Sequence, residues 1–291
     1  MKTILVTGGC GFIGSNFVRL LNAETDWRIV NLDKLTYAGN AENVADLPPP
    51  RHRMIHGDIA DPALVEEVLK KEKPWAIVNF AAESHVDRSI LDAAPFVQTN
   101  IGGVQALLDA ARAHPVERFL HISTDEVYGD KEGKEPSTED SPLSPSSPYA
   151  ATKAAADLLC FAYRRTYGVP VIVTRSSNNY GPYQFPEKFI ALLIRNGLTG
   201  LELPVYGDGQ QIRDWLYVED NCRAIFAVLD KGQVGSTYNI GTGEERTNLE
   251  VVEAVCAAVA EARGSSPAKL KGRIRFVADR PGHDRRYALD T

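Results

Sequence analysis

The chain has 291 residues, of which 44% are hydrophobic and 24% charged, and its formal net charge is −6. These values are ordinary for a globular protein of one or two domains that buries a full core without disulfide or metal staples. The acidic balance argues against a broad binding surface for nucleic acid or anionic lipid, and no apolar run reaches the roughly 18 residues that a membrane helix needs.

The four cysteines are too scattered to form a metal or disulfide framework. They lie at Cys10, Cys160, Cys222 and Cys256, with no Cys-x-x-Cys pair and no flanking histidine pair. This pattern is typical of a reducing compartment. The N-terminus runs directly into glycines without the apolar stretch of a signal peptide. We therefore predict a cytoplasmic protein that holds no metal and has neither nucleic acid nor a membrane as its partner.

Short β-branched runs alternate with longer helical patterns through the first half of the chain. A helix is predicted over 12–23, and a second begins at Asp61-Pro62, where Asp is the N-cap and Pro the first helical residue. Alternation of this kind indicates parallel strand pairing with right-handed crossovers. The predicted fold class is α/β, a Rossmann-like doubly wound parallel sheet with a smaller C-terminal substrate lobe. The runs predict strands at residues 4–6, 28–32, 54–56, 76–80, 119–122 and 171–173.

The alternation ends after Arg175. The chain then becomes rich in Gly, Pro and aromatic residues around one predicted helix, 186–196. Further on, Thr247 and Glu250 form a capping box ahead of the apolar run 251–259. We predict an NAD-binding domain from residues 1–177 and 213–242, and a substrate lobe from residues 178–212 and 243–291.

A glycine-rich turn joins the first strand to the first helix. Gly8, Gly11 and Gly14 fall at G-x-x-G-x-x-G spacing. Glycine is needed where the backbone approaches a pyrophosphate, and the helix N-terminus offers free N–H groups to phosphate. Asp33 ends the second strand, where a carboxylate accepts ribose hydroxyls and repels a 2′-phosphate. The pattern predicts NAD. Two alternatives stay open: Asp33 merely caps a loop, or the neighbouring Lys34 permits NADP.

Two adjacent carboxyl groups, Asp125 and Glu126, follow the strand at 119–122 in the sequence Thr-Asp-Glu. The carboxyl ends of strands are where ligands bind in open parallel sheets. Adjacent residues on a strand point to opposite faces, so both carboxyls serve one site only if the chain has left strand geometry by Asp125. A solvated loop is the alternative interpretation.

Tyr149 and Lys153 open an Ala-rich helix and share one of its faces, because they are four residues apart. A nearby ammonium group favours the phenolate and lowers the pKa of a tyrosine. Tyr149 is therefore a candidate base that takes the proton of an alcohol while hydride is transferred. A surface pair without function is the alternative, because the Tyr-x-x-x-Lys pattern is frequent.

These residues resemble the extended short-chain dehydrogenases/reductases, and within them the dTDP-glucose 4,6-dehydratases. The resemblance runs through nearly all of the chain, and its most selective parts are the Thr-Asp-Glu triplet and the Thr-Tyr-Ala-Gly-Asn loop. The matching segments are Gly8 to Gly14, Asp33 to Asn40, Ala81 to Ser89, Ser123 to Gly129, Tyr149 to Lys153, Arg175 to Pro182, Gln211 to Trp215 and Arg280 to Asp284.

The resemblance implies an NAD-dependent hydro-lyase of nucleotide-sugar metabolism that makes dTDP-4-keto-6-deoxyglucose from dTDP-glucose for deoxysugar biosynthesis. Tyr149 would be the base for oxidation at carbon 4, with Lys153 polarising it and Thr124 holding the substrate hydroxyl. Glu126 would then remove the proton on carbon 5 while Asp125 protonates the hydroxyl leaving carbon 6. Hydride returns to carbon 6, so the cofactor is regenerated and must stay bound. An ionised base and a protonated acid coexist only if their surroundings split the two pKa values.

Binding positions carry over from the same resemblance. Cofactor contacts are implied at Gly8, Gly11, Phe12, Ile13, Gly14, Asp33, Lys34, Leu35, Thr36, Asp58, Ile59, Ala81, Ala82, Thr99, Tyr149, Lys153 and Asn179. Substrate contacts are implied at Ser84, Thr124, Asn178, Lys188, Phe189, Pro204, Val205, Tyr206, Arg213, Asn248, Asp279, Arg280, Pro281, Gly282 and His283. A surface ion pair with Asp214 is the alternative for Arg213, and an ordinary first-turn helix residue is the alternative for Asn248.

Similar proteins continue beyond the equivalent of Thr291 with helices that complete the substrate lobe, so we expect a shortened chain or a compact member. The resemblance also implies a homodimer in which helices 91–113 and 150–167 pair across a two-fold axis. A carbon-4 epimerase, which needs NAD and the Tyr/Lys pair but no carboxyls, and a non-catalytic NAD-binding module are the alternative functions. The choice between a thymidine and a uridine nucleotide stays open, since one methyl group is worth a factor of only about ten to two hundred.

Overall fold

A seven-stranded parallel sheet forms the centre of the structure, a computed structural model that describes residues 1–291. The strands are β1 Thr3–Thr7, β2 Arg28–Asp33, β3 His52–His56, β4 Ala76–Asn79, β5 Arg118–Thr124, β6 Val171–Ser176, β7 Asn178–Tyr180, β8 Leu203–Tyr206, β9 Ile212–Tyr217, β10 Thr237–Ile240, β11 Glu245–Thr247 and β12 Ile274–Val277. The helices are α1 Phe12–Glu24, α2 Pro62–Glu72, α3 Val86–Leu91, α4 Ala94–Phe96, α5 Val104–Ala113, α6 Pro148–Tyr167, α7 Phe189–Thr199, α8 Val218–Lys231, α9 Asn248–Ala262 and α10 Pro267–Lys271. Short 3₁₀ turns span Ala41–Val44 and Asp125–Tyr128, and a π-helical turn spans Val97–Gly103.

The strand order in the large sheet is β10-β6-β5-β4-β1-β2-β3, and every pairing in it is parallel. The chain winds outwards from β1 to β3, then returns to β4 and continues in the opposite direction. A crevice opens at such a switch point, outside the carboxyl ends of the strands. The predicted α/β doubly wound sheet is confirmed, and all six predicted strands are present within a few residues of their expected bounds.

Apolar side chains cover both faces of this sheet. On one face Leu5 and Phe119 belong to a core that includes side chains of α2, α5 and α6. On the other face Ile4 and Leu120 belong to a core that includes side chains of α1 and α8. Consecutive strand residues alternate between the two faces, which is why uninterrupted β-branched runs occur in the sequence.

Side-chain caps begin the helices that the sequence marks most clearly. The Asp61 carboxylate accepts hydrogen bonds from two free amides of α2, at 3.1 and 3.2 Å, and Pro62 is the first residue of the helix. Thr247 and Glu250 form the predicted capping box at the start of α9. Ser147 caps α6 by accepting a hydrogen bond from the Ala150 amide at 3.1 Å.

The helix expected over 91–113 begins at Ala94, three residues later than predicted, and Leu91 is the last residue of α3. From Ala94, α4, the π-helical turn and α5 follow one another without a break to Ala113. Asp92 has an extended backbone, its carboxylate accepts a hydrogen bond from the Ala94 amide at 3.0 Å, and Pro95 follows at the start of α4. These residues are a helix start signal inside an otherwise helical pattern. The helix expected over 186–196 is α7, which begins three residues later than predicted.

Two smaller sheets lie beyond the large one. β9 pairs with β7 and β11, and β8 pairs in parallel with β12. The range 213–242, which we assigned to the NAD-binding domain, contains most of β9 and all of α8 and β10. β9 belongs to a small sheet, whereas β10 is a strand of the large sheet and α8 packs on that sheet. The division into domains stays a prediction. None of the helices combines the length and the apolar composition that crossing a membrane requires.

Candidate active site

The glycine turn between β1 and α1 leaves no room for side chains. A Cβ on Gly14 would lie 2.2 Å from the Gly8 carbonyl oxygen, and a Cβ on Gly8, whose φ is +70°, would lie 2.6 Å from the Ala81 amide nitrogen. Gly11 is the N-cap of α1 and no side chain caps that helix, so its first amides are free to bind an anion. The cradle fits the pyrophosphate of a dinucleotide.

Asp33 lies beside this turn, and its carboxylate is buried. Its two oxygens accept hydrogen bonds from the amides of Cys10 and Leu35, each at 2.8 Å, so Asp33 does cap the adjoining loops. Each carboxylate oxygen retains a further lone pair for a ribose hydroxyl. Lys34 Nζ lies 2.6 Å from Asp58 Oδ2, so its charge is already balanced. This arrangement favours NAD over NADP.

A cavity runs from the glycine turn to the carboxyl ends of β4 and β5. Of the 17 predicted cofactor-binding residues, 15 line it, and only Leu35 and Asn179 do not. The Asn179 side chain instead accepts a hydrogen bond from Asn221 and donates one to the Ser177 carbonyl. The predicted residues on the wall are Gly8, Gly11, Phe12, Ile13, Gly14, Asp33, Lys34, Thr36, Asp58, Ile59, Ala81, Ala82, Thr99, Tyr149 and Lys153.

Tyr149 and Lys153 both face this cavity from α6. Lys153 Nζ donates a hydrogen bond to the Ile122 carbonyl at 2.6 Å, which fixes the ammonium at the end of β5. Burial lowers the pKa of Lys153 to about 8. The expected lowering of the Tyr149 pKa is not found, because burial and the carboxylates of Glu126 and Asp125 raise it. A phenolate at this position therefore needs more positive charge than Lys153 alone supplies.

The chain leaves strand geometry directly after Thr124, as a shared site for both carboxyls requires. Thr124 caps the 3₁₀ turn by accepting a hydrogen bond from the Glu126 amide at 3.3 Å, and its hydroxyl donates to Asp125 Oδ1 at 3.2 Å. Asp125 Oδ2 and Glu126 Oε2 are buried and have no hydrogen-bond partner in the protein. Neither carboxyl group nor Thr124 lies on the wall of the cavity described above. Both carboxyl groups lie close to Tyr149, whose pKa their charges raise.

The two carboxyl groups have different electrostatic surroundings. Burial raises the pKa of Asp125 to about 7, and the neighbouring Glu126 charge adds to the rise. Burial also raises the pKa of Glu126, but the cations Arg280, Arg213 and Lys188 oppose that rise. Asp125 is therefore suited to donate a proton near neutral pH, and Glu126 is suited to accept one.

Predicted substrate residues come together where β8 and β12 end side by side. The Tyr206 ring centroid lies 6.1 Å from that of His283, and His283 Nδ1 is 2.6 Å from Asp279 Oδ1. Gln211 Nε2 donates a hydrogen bond to Asp279 Oδ2 at 3.0 Å. The exposed Pro281 and Gly282 belong to the same segment, and Pro204 precedes the strand end on β8.

Arg213 does not form the surface ion pair with Asp214 that was the alternative interpretation. It is buried, and it donates hydrogen bonds to the carbonyls of Ile212 and Asp284 at 2.7 and 2.9 Å. Its guanidinium lies 4.1 Å from the Tyr287 ring centroid. Asp214 instead accepts a hydrogen bond from the Thr242 amide at 2.8 Å. Arg213 thus ties the last residues of the chain to β9 while its charge acts on the carboxyl pair.

The other predicted substrate residues differ in whether their side chains could reach a ligand. Val205 is fully buried in the core of the lobe, so its side chain does not reach a ligand. Asn248 begins α9, and its amide donates to the Gln211 carbonyl at 2.9 Å. The Phe189 ring stacks on that of Trp215, with ring centroids 6.0 Å apart. Asn178 Oδ1 and Arg280 Nε are buried without a partner, and Ser84 and Lys188 line the cofactor cavity.

Comparison with known proteins identifies the family. The family model described as GDP-mannose 4,6 dehydratase matches residues 5–291. The dTDP-glucose 4,6-dehydratase of Neisseria gonorrhoeae is 54% identical over 304 residues, which cover 100% of this chain and 88% of that protein. The chain belongs to the dTDP-glucose 4,6-dehydratases. The resemblance predicted from the motifs is thereby confirmed.

Solved structures place this dehydratase family within a wider fold. The dTDP-glucose 4,6-dehydratase of Bacillus anthracis, in complex with NAD, is 47% identical, with a TM-score of 0.89 over 100% of this chain and 88% of that one. The UDP-glucose 4-epimerase of Thermus thermophilus, in complex with NAD, is 33% identical, with a TM-score of 0.89 over 99% of this chain and 90% of that one. The fold is therefore common to both activities, whereas sequence identity favours the dehydratases.

Part of the cavity wall was missed by the sequence-based prediction. Leu32, Ile122 and Ser123 lie at the carboxyl ends of strands, and that position alone could have predicted ligand contact. Phe185 has no such signal, because it reaches the wall through its packing on Tyr37, with ring centroids 5.6 Å apart. The missed residues are Leu32, Ala38, Gly39, Gly57, Phe80, Glu83, Ile122, Ser123 and Phe185.

Proposed function

We propose that this chain is an NAD-dependent hydro-lyase that converts dTDP-glucose to dTDP-4-keto-6-deoxyglucose. The reaction comprises oxidation at carbon 4, elimination of water across carbons 5 and 6, and return of hydride to carbon 6. The observation that carries the proposal is the buried pair Asp125 and Glu126, each with an unpartnered oxygen, next to Tyr149 at the end of a dinucleotide cavity.

Tyr149 is the proposed base for the carbon-4 hydroxyl proton. NAD, when bound, supplies the hydride acceptor for carbon 4 and the hydride donor for carbon 6, and its oxidised nicotinamide ring carries a positive charge. Tyr149 and Lys153 line the cavity, so the charge of a ring held there would add to that of Lys153 and would favour the phenolate that burial disfavours. Thr124 is the proposed holder of the substrate hydroxyl; its own hydroxyl donates a hydrogen bond to Asp125 and accepts one from the Glu126 amide.

The carboxyl pair is the proposed agent of elimination. The carbon-4 ketone acidifies the carbon-5 proton, and Glu126 removes it; the released electron pair forms the double bond between carbons 5 and 6. The carbon-6 hydroxyl departs with a proton from Asp125 as one water molecule. When hydride has reached carbon 6, Glu126 returns its proton to carbon 5. The raised pKa of Asp125, about 7, keeps a donor proton available at neutral pH.

The alternatives fit the site less well. A carbon-4 epimerase requires NAD, Tyr149 and Lys153, but it has no step for Asp125 and Glu126, which are costly to bury as charges. A non-catalytic NAD-binding module could use Tyr149 and Lys153 to hold the cofactor, but it has no use for Thr124, Asp125 and Glu126 beside them. Tyr149 and Lys153 line the cavity, and Thr124 and the carboxyl pair lie close to Tyr149. This combination favours dehydration.

A sugar nucleotide is the proposed partner of the C-terminal segment. Arg280 has a buried nitrogen without a partner, and Lys188 is a second cation at the boundary between the cavity and the lobe. Both can neutralise a diphosphate, and an arginine can bind one bidentately. The base pocket would then lie near the end of β8, beside Tyr206.

We also propose a homodimer in the cytoplasm. Leu91, Val97 and Leu158, from the end of α3, the π-helical turn and α6, are 87%, 49% and 63% exposed, and such apolar surface is suited to pairing of two copies. All four cysteines are free and buried, which is consistent with a reducing compartment.

The proposal is tested by the mass of the product formed from dTDP-glucose and, separately, from UDP-glucose. We expect dTDP-glucose to lose one water molecule and UDP-glucose to react more slowly. A product of unchanged mass with inverted configuration at carbon 4 would identify an epimerase, and NAD binding without any product would identify a non-catalytic module.

A further inference from the structure

A buried carboxylate lies on α6, the helix that carries Tyr149 and Lys153. Asp157 follows Lys153 by four residues on α6, and its side chain is fully buried. Its Oδ2 accepts a hydrogen bond from Arg175 Nε on β6 at 2.9 Å. Its Oδ1 accepts no hydrogen bond and lies 3.8 Å from His121 Nε2.

His121 does not supply the positive charge that balances Asp157. Asn79 Oδ1 accepts a hydrogen bond from the Thr7 hydroxyl at 2.5 Å, which assigns its amide nitrogen as the donor to His121 Nδ1, at 3.1 Å. The proton of the neutral ring is therefore on Nε2, towards Asp157. Burial, with Lys153 nearby, holds the His121 pKa well below its usual value, so the ring is uncharged.

The titratable and charged groups around Lys153 and Asp157 lie on three elements. Asp157 and Cys160 lie on its own helix, neutral His121 lies on β5, and Arg175 lies on β6. Burial dominates and lowers the Lys153 pKa, while Asp157 is the largest influence in the opposite direction. Lys153 donates its hydrogen bond to the Ile122 carbonyl and forms no ion pair within 4.0 Å. Asp157 is therefore the main source of negative charge near it.

We propose that Asp157 is a positioning residue: its carboxylate, fixed by Arg175 and one helical turn after Lys153, keeps the Lys153 ammonium charged where the Ile122 carbonyl holds it, on the same helix face as Tyr149. The inference rests on the proposed function, because it assigns a purpose to the charge of Lys153 in the oxidation step. Asp157 itself does not line the cavity, so it acts through Lys153 and does not contact the reacting atoms.

A purely structural ion pair is the competing explanation. Asp157 and Arg175 then stabilise the contact between α6 and β6, and Lys153 is incidental. Loss of a buried partner destabilises a protein under either explanation, so stability does not separate them. The protonation of Lys153 does, because only the first explanation makes it depend on Asp157.

The test is the titration of the Lys153 ε-carbon, followed by NMR in the NAD-loaded protein and assigned with Lys153→Arg. Asp157→Asn should lower the midpoint by about one pH unit or more, because Lys153 loses an opposite charge one helical turn away. The basic limb of the kcat–pH profile should move by a similar amount, and Asp157→Glu should restore both. Glu24→Gln, which removes the carboxylate of the exposed pair with Arg223, should change neither.

The double variant Asp157→Asn/Arg175→Met guards against a failure to fold, because it leaves no unpaired buried arginine. Removing the Arg175 cation should by itself raise the Lys153 midpoint, so the double variant is compared with Arg175→Met. A lower midpoint in the double variant than in Arg175→Met would support the role of Asp157. Equal midpoints in these two variants, with kcat reduced equally at every pH in Asp157→Asn, would overturn the inference. The NMR titration uses no sugar substrate, so its outcome is independent of whether the proposed dehydration is correct.

Discussion

At the scale of single residues, two adjacent carboxyl groups have different surroundings, which suit them to the opposite roles that we propose. Asp125 is buried beside the Glu126 charge, and its pKa rises to about 7. Burial raises the pKa of Glu126 too, but Arg280 and Arg213 oppose that rise. One sequence position therefore separates a group that keeps its proton from a group that gives it up.

Glu126→Gln should separate the oxidation from the elimination. Because Tyr149 and Lys153 are untouched, carbon 4 should still be oxidised, but the carbon-5 proton is not removed and reduced NAD should accumulate to about one equivalent per site. Turnover should fall by about 100-fold or more, the usual contribution of a positioned general base. Near-ultraviolet absorbance of reduced NAD is the measurement. Normal turnover would show that Glu126 is not the base.

The matched control is Glu132→Gln. Glu132 is an exposed carboxylate in the loop after the 3₁₀ turn, with 69% of its side chain accessible to solvent. Its replacement should leave both the rate and the state of the cofactor unchanged.

Asp125→Asn should slow dehydration and stabilise the fold at alkaline pH. The folded-state pKa of about 7 is higher than the unfolded value of 3.8, so the native state binds this proton more tightly. The corresponding stability is present below about pH 4 and is lost as the pH rises through about 7. Each pKa unit is worth about 1.4 kcal/mol, so the ionised group costs a few kcal/mol at pH 8. Thermal unfolding should show a gain for the variant at pH 8 that shrinks at pH 4; an equal effect at both would contradict the raised pKa.

At the scale of elements, the parts of the fold that local signals encode were predicted well. The strands of the large sheet, the Asp61 cap and the Thr247 capping box follow from patterns within a few residues. So does the glycine turn, where a Cβ on Gly14 has no room. The end of strand geometry at Asp125 was a condition of the proposed chemistry, and the 3₁₀ turn meets it.

Features that depend on distant elements were not predictable from the sequence. Arg213 donates a hydrogen bond to the carbonyl of Asp284, 71 residues further along the chain. The contact between Asp157 and Arg175 joins a helix to a strand. The predicted lowering of the Tyr149 pKa failed for the same reason, because the Tyr-x-x-x-Lys spacing does not show the burial or the nearby carboxylates. The π-helical turn after α4 also has no local signal that we recognised.

Gly14→Ala tests the close contact between β1 and α1. The added Cβ would lie 2.2 Å from the Gly8 carbonyl oxygen, so the helix must move away from the turn that holds the pyrophosphate. Overpacking of this kind costs about 1–3 kcal/mol. We expect purified protein to retain at least tenfold less NAD and to unfold at a lower temperature. In the control Gly272→Ala the added Cβ would lie 3.6 Å from the carbonyl oxygens of Ala268 and Lys269, and NAD content should not change.

At the scale of the whole molecule, one helix serves both the site and the proposed dimer. α6 carries Tyr149 and Lys153 on its inner face, and Leu158, which is 63% exposed, on its outer face. A second copy covering that outer face would hold the helix that positions the base. Assembly and catalysis would then be linked through the same element.

Leu158→Asp should weaken the dimer, because it places a charge in an apolar contact. Sedimentation of the variant should show monomers where the unmodified chain shows dimers. Leu201→Asp, at a 54% exposed leucine in the other lobe, is the matched control and should leave the assembly unchanged. A variant at Leu158 that sediments like the unmodified chain would place the contact elsewhere.

The measurement that most directly tests the proposed dehydration is the fate of deuterium carried on carbon 4 of dTDP-glucose. Oxidation at carbon 4 followed by hydride return to carbon 6 should give a product that has lost one water molecule and carries the label on carbon 6. Retention of the label on carbon 4, with the sugar epimerised and no water lost, would contradict it.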